Sequence, residues 1–141
     1  MKAFVKAFDG GLMRRGFVVC CGPKDDVRRL FLDPKTFEGF KAGHRAVQET
    51  WAFLSDYWDR TIGDRGNPAL GATAQHMGDV FVLMPEWDFS VFVHEAFHAT
   101  HEALRIMNTD DEEFGAYIIE WLYERMYWTI HDKTGKGGKR T

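Results

Sequence analysis

The stretch "HMGDVFVLMPEWDFSVFVHEAFH", residues 76–98, decides the architecture. Its first half reads as a strand. Val80, Phe81, Val82, Leu83 and Met84 form a short apolar run that Pro85 stops. Upstream, residues 71–76 continue the pattern and Met77-Gly78-Asp79 supplies a turn, so 71–84 is expected to be a pair of strands. The second half reads as a helix from about Asp88 to Met107. Asp88 or Ser90 caps its start, and Asn108 is a suitable left-handed stop.

Working outward, "KAFVKAF" (2–8) and "RRGFVVCC" (14–21) are β-rich runs around the turn "DGG", and "GPKDD" breaks the second. After "DPKT" a helical stripe emerges at Phe40, His44, Val47, Trp51, Leu54 and Trp58, and it ends near the breaker cluster "TIGDRGNP" (61–68). His44 lies on that apolar stripe and is given no functional role. Downstream, Thr109-Asp110-Asp111-Glu112 has the spacing of a capping box that opens a last helix running to about Ile130. Strands, helix, strand pair, helix, helix is an α+β order, with helices packed on a small sheet. One domain over 1–133 is expected, followed by a flexible basic tail, 134–141.

Composition narrows the function classes. The chain has 141 residues, of which 45% are hydrophobic and 15% aromatic, enough for a packed core. A formal net charge of −3 leaves no basic footprint, so no nucleic-acid partner is expected. No run of eighteen apolar residues exists, and the first sixteen residues carry charges where a signal peptide would be apolar. Cys20 and Cys21 are adjacent, poorly placed to bond each other, and read as small hydrophobes ending a strand. A cytoplasmic protein with no membrane partner is expected. Nothing in the sequence fixes an oligomeric state.

The helix over 88–107 holds the chemistry. At 100° per residue, Phe89, Val93, Ala96, Thr100, Ala103, Leu104 and Met107 fall in one broad apolar stripe, with Phe92 and Phe97 at its edges. His94, His98, His101 and Arg105 line up on a different, polar face. His94 and His98 are one turn apart, so their rings project side by side and suit adjacent vertices of a tetrahedral zinc ion. Glu95 is about 100° round from His94, placed to serve as a general base without being a ligand. This is the pattern H-E-x-x-H on a helix. His101 shares the face but lies about 10 Å along the axis from His94, and it takes no assigned role.

A catalytic zinc usually has three protein ligands, so the last helix must supply another. That helix is apolar nearly all round except for a stripe of Glu113, Tyr117, Glu120 and Glu124, and carboxylates on a mostly buried helix need a partner. If the capping box forms, Glu112 is used on the backbone at Thr109 and Glu113 is left free. A helix that continues to Met107 before an antiparallel return would make Glu120 the carboxylate more nearly level with the histidines. One that ends around Leu104 would favour Glu113.

The strand, "VHEAFH" (93–98) and the Glu-x-x-Ala of "EFGA" (113–116) together resemble the zincin metallopeptidases of the gluzincin type, whose minimal versions occur in bacteria and their phages. The resemblance covers about residues 71–128. It implies a small zincin-like domain in which a mixed sheet has an edge strand that pairs with extended substrate, here "VFVLM" (80–84). It also implies a support helix, the active-site helix and a C-terminal ligand helix. Carried over, it makes Zn2+ the cofactor, His94, His98 and Glu113 its ligands, and Glu95 the base. Tyr117, one turn after Glu113, is the candidate transition-state stabiliser. The expected activity is hydrolysis of a peptide or protein substrate. The alternative is a non-catalytic zinc-binding regulatory or interaction domain.

Overall fold

In a computed structural model of the chain, residues 2–9, 16–40, 46–62 and 69–134 are described, with side chains to residue 131. His44 and the tail beyond residue 134 lie outside them. Four strands, β1 (Phe4–Asp9), β2 (Gly16–Cys21), β3 (Ala72–His76) and β4 (Asp79–Met84), form one sheet in the order β1-β2-β4-β3. β1 and β2 pair antiparallel, β2 and β4 parallel, and β3 and β4 antiparallel, so the sheet is mixed. Among the described residues, four helices complete the α+β fold: α1 (Lys24–Phe31), α2 (Val47–Thr61), α3 (Phe89–Ile106) and α4 (Glu112–Thr134).

Period-2 alternation sorts the central strands into two cores. Phe17, Val19 and Cys21 of β2, with Val80, Val82 and Met84 of β4, face α3 and α4. Val18 and Cys20, with Phe81 and Leu83, face α1 and α2. The sheet is therefore covered on both sides, and this accounts for a continuous apolar run in β4 instead of a half-polar one.

That placement corrects the expectation for "VFVLM". β4 is an interior strand paired on both sides, and the sheet edges are β1 and β3. The physical reason is the parallel pairing with β2, which takes the flank that β3 leaves open.

Three further differences bear on the site. Helix α1 was not expected: its eight residues carry only two buried positions, Val27 and Phe31, one turn apart among charges. The support helix begins at Val47, and Phe40 precedes it outside any helix. The capping box does not form. Asp111 caps α4 by accepting from the Phe114 N–H at 3.1 Å, while the Thr109 hydroxyl accepts from the Asp111 N–H at 3.3 Å. The backbone N–H of Thr109 instead donates to Leu104, closing the end of α3 with Asn108 at φ 57°. The α3 boundaries match their signals: Asp88 accepts from the Val91 N–H at 3.1 Å, and the helix runs to Ile106.

Cys20 and Cys21 are free and buried, and as neighbours on a strand they enter opposite cores. Burial pushes the Cys21 thiol up to about 11, opposed by the chain's amino terminus and reinforced by Glu86; burial raises Cys20 as well. Raised values keep both thiols protonated at pH 8, where a thiolate is needed for reaction. Native protein should therefore leave both unmodified by a disulfide reagent such as DTNB at pH 8, and both should react once urea unfolds the chain. Rapid labelling of folded protein would contradict this packing.

Candidate metal centre

The buried face of α3 consists of Phe92, Glu95, Ala96, Ala99, Thr100 and Ala103. It is rotated from the expected stripe: Phe89, Val93 and Phe97 are each about half exposed. Small residues at 96, 99 and 103 let the helix approach the sheet closely, and Phe92 fills the space against Trp87, ring centroids 5.5 Å apart. The rotation carries Glu95 inward and leaves His94, His98, His101 and Arg105 exposed on the outer face.

The two histidines of the motif converge. His94 Nε2 and His98 Nε2 are 3.2 Å apart, with ring centroids at 4.8 Å. Two zinc-bound nitrogens at tetrahedral vertices would sit about 3.3 Å apart, given metal–nitrogen lengths near 2.0–2.1 Å. The pair therefore fits a shared metal as donors, and the same separation also suits an N–H···N bond between neutral rings. His101 packs edge-on against Phe97, centroids 4.4 Å apart.

Glu95 is 5% exposed, and a carboxylate so placed requires a donor. The donor is on β3: the Thr73 hydroxyl donates to Glu95 Oε1 at 2.7 Å and lies 3.2 Å from the Glu95 carbonyl. Gly71 makes room beside it. A Cβ there would meet Val91 Cγ1 at 2.9 Å, Glu95 Cγ at 3.1 Å and the Leu83 carbonyl at 3.3 Å. The Tyr57 hydroxyl of α2 donates to the Thr73 carbonyl at 2.9 Å, so Thr73 touches both flanking helices. Burial raises the Tyr57 phenol above its ordinary value. Glu95 and Glu102 reinforce the rise, and Arg60, whose guanidinium stands over the ring at 5.6 Å, opposes it.

The α4 residues fall elsewhere. Gly115 packs against Leu104 and Thr100, and Tyr123 against Phe89, so α4 returns antiparallel along α3. Thr100, Leu104, Gly115, Ala116 and Ile119 line a cleft of about 1030 Å³ between the two helices. Glu113 and Tyr117 are exposed. Tyr117, Glu120 and Glu124 line a separate shallow depression with Trp121 and Arg125. Because α3 runs past Leu104, Glu113 sits near the turn and Glu120 is more nearly level with the histidines. Among the described residues, no three His, Cys, Asp or Glu side chains come together as one metal-binding group.

Gly71, Thr73 and Tyr57 were not singled out from the sequence. The alternation "ATAQ" (72–75) does place Thr73 and Gln75 opposite the core alanines, but nothing in it says which helix Thr73 meets. No family model matches the chain, and neither curated proteins nor solved structures give a match. Among the described residues, no helix is long and apolar enough to cross a membrane.

The Glu95 cradle makes a measurable claim. Gly71→Ala should destabilise the fold by about 1–3 kcal/mol through overpacking. Thr73→Val should cost about 1–3 kcal/mol by leaving a buried carboxylate oxygen without its donor. Urea unfolding midpoints test both. Unchanged midpoints would show that Glu95 is not held as described.

Proposed function

We propose that the protein is a zinc-dependent metallopeptidase hydrolysing peptide bonds, with His94 and His98 as zinc ligands and Glu95 as general base. The observation that carries this reading is the convergence of the two Nε2 atoms at 3.2 Å on an exposed helix face. Zinc, when bound, supplies Lewis-acid activation of water and of the scissile carbonyl. The remaining chemistry belongs to side chains of this chain. Glu95 accepts a proton from the attacking water and passes it to the leaving amine. Thr73 fixes the rotamer of Glu95 by its hydroxyl bond.

For the third ligand the gluzincin resemblance marks Glu113, while the length of α3 favours Glu120, and the two compete for the role. The role proposed for Tyr117 rests on its place one turn after Glu113, since no family motif downstream marks a transition-state stabiliser. A second reading, a zinc-binding module without hydrolysis, is favoured by the burial of Glu95, since a base must meet the water it deprotonates.

Purified protein incubated with zinc and desalted should retain one equivalent by elemental analysis. His94→Ala and His98→Ala should lose it. Glu113→Gln and Glu120→Gln, assayed the same way, identify the carboxylate ligand by loss of zinc. Glu95→Gln should keep the metal while peptide hydrolysis falls by about 10²–10⁴-fold, the size of a lost general base. A parent protein that holds zinc but cleaves nothing in a broad peptide library would sink the peptidase reading in favour of the binding module. A protein that retains no zinc would sink both.

A further inference from the structure

The edge of the sheet beside the histidine helix is β3, and its hydrogen-bonding pattern is fixed by the hairpin that follows it. His76 pairs with Asp79 across a two-residue turn, Met77-Gly78, both at positive φ (53° and 86°). In such a hairpin the flanking pair exchanges both backbone bonds, and bonded pairs then recur at every second residue. Ala72 and Ala74 therefore bond inward to Leu83 and Phe81. Thr73 and Gln75 direct their N–H and C=O groups outward, away from β4. These are the groups with which an added strand would pair.

One of them is already engaged. The Thr73 carbonyl accepts from the Tyr57 hydroxyl at 2.9 Å, so a side-chain O–H already holds the outward carbonyl to which the backbone N–H of an incoming strand would donate. The phenol is held there. Its ring stacks on Phe53 at an interplanar angle of 9°, and Arg60, itself bonded to Asp56 at 2.9 Å, covers the ring. The same Thr73 that offers this carbonyl outward holds Glu95 inward through its hydroxyl. An extended chain laid on β3 at Thr73 would thus run beside the residue assigned as base.

We propose that Tyr57 gates this edge: its hydroxyl occupies the Thr73 carbonyl, and an extended peptide docks on β3 only by taking that carbonyl from it. The proposal rests on the peptidase reading for the identity of the occupant, and it locates docking on β3 at Thr73 and Gln75. Tyr57 acts here on binding and takes no part in the chemical step.

The test uses full-length, zinc-free protein, in which docking is read apart from hydrolysis. The probe is an acetylated, amidated hexapeptide of alternating threonine and valine. Binding is followed by titration and by amide hydrogen exchange. The probe should slow exchange at the Thr73 and Gln75 amides. Tyr57→Phe, which keeps the ring and removes the competing donor, should tighten the dissociation constant about fivefold, the worth of one ordinary hydrogen bond. Gln75→Pro, made in the parent background, removes an N–H that bonds nothing in the sheet and should abolish the protection.

Protection appearing on β1 instead, an unchanged affinity in Tyr57→Phe, or undiminished binding by Gln75→Pro would each overturn the proposal. So would a Tyr57→Phe chain that self-associates through β3 without gaining affinity for the probe. The two readings fail separately. Zinc-loaded protein that docks the probe and cleaves no peptide removes the peptidase assignment but not the gate. Hydrolysis with the same KM in Tyr57→Phe removes the gate but not the peptidase.

Discussion

The arrangement of every other element depends on the burial of β4 from all directions. Its five residues from Val80 to Met84 are buried, its two flanks are taken by β2 and β3, and its faces alternate between two cores. A strand of this kind has no wet side, so helices must cover the sheet above and below. Pro85 ends the strand, and three residues later Asp88 starts α3, which therefore packs against the sheet it has just left. The position of the histidine pair follows from that short connection.

Two constraints then act on α3 at once. Its alanines sit against the sheet, and this fixes the rotation that turns His94 and His98 outward and Glu95 inward. A buried carboxylate is tolerated only with a donor and with space, and β3 provides both through the Thr73 hydroxyl and the bare Cα of Gly71. The outer face of α3 is thus free to present two convergent imidazoles. The polar stripe of α4 obeys a different demand. That helix buries Ile118, Leu122 and Met126 in the core shared with the sheet and lines the α3 cleft with Ala116 and Ile119, which leaves Glu113 and Glu120 exposed.

Local signals proved legible wherever one residue decides the outcome. The αL position of Asn108, the cap at Asp88 and the turn at Met77-Gly78 all follow from residue chemistry. The pairing of His94 with His98 follows from helical period alone. What escaped is what depends on a second element. "VFVLM" is equally apolar as an interior or an edge strand, and only the parallel pairing with β2, some sixty residues earlier in the chain, separates the two. The rotation of α3 is hidden in the sequence because Phe89 and Val93 are as apolar as Phe92 and Ala99. The sheet prefers small side chains at the closest approach, and periodicity does not carry that information. Thr109 and Asp111 are both good capping residues, and the closure of α3 through the Thr109 N–H leaves the cap to Asp111.

The parallel pairing of β2 with β4 has a consequence for how the chain is made. All four strands and the helices of one face precede Pro85, so a chain growing from its amino terminus can complete the sheet and one of its two layers first. Until α3 and α4 follow, Phe17, Val19, Val80, Val82 and Met84 present a continuous apolar surface with nothing over it. The nascent chain would be most exposed to aggregation at that stage of synthesis. The helix that carries the histidines is also the first part of the lid that ends it.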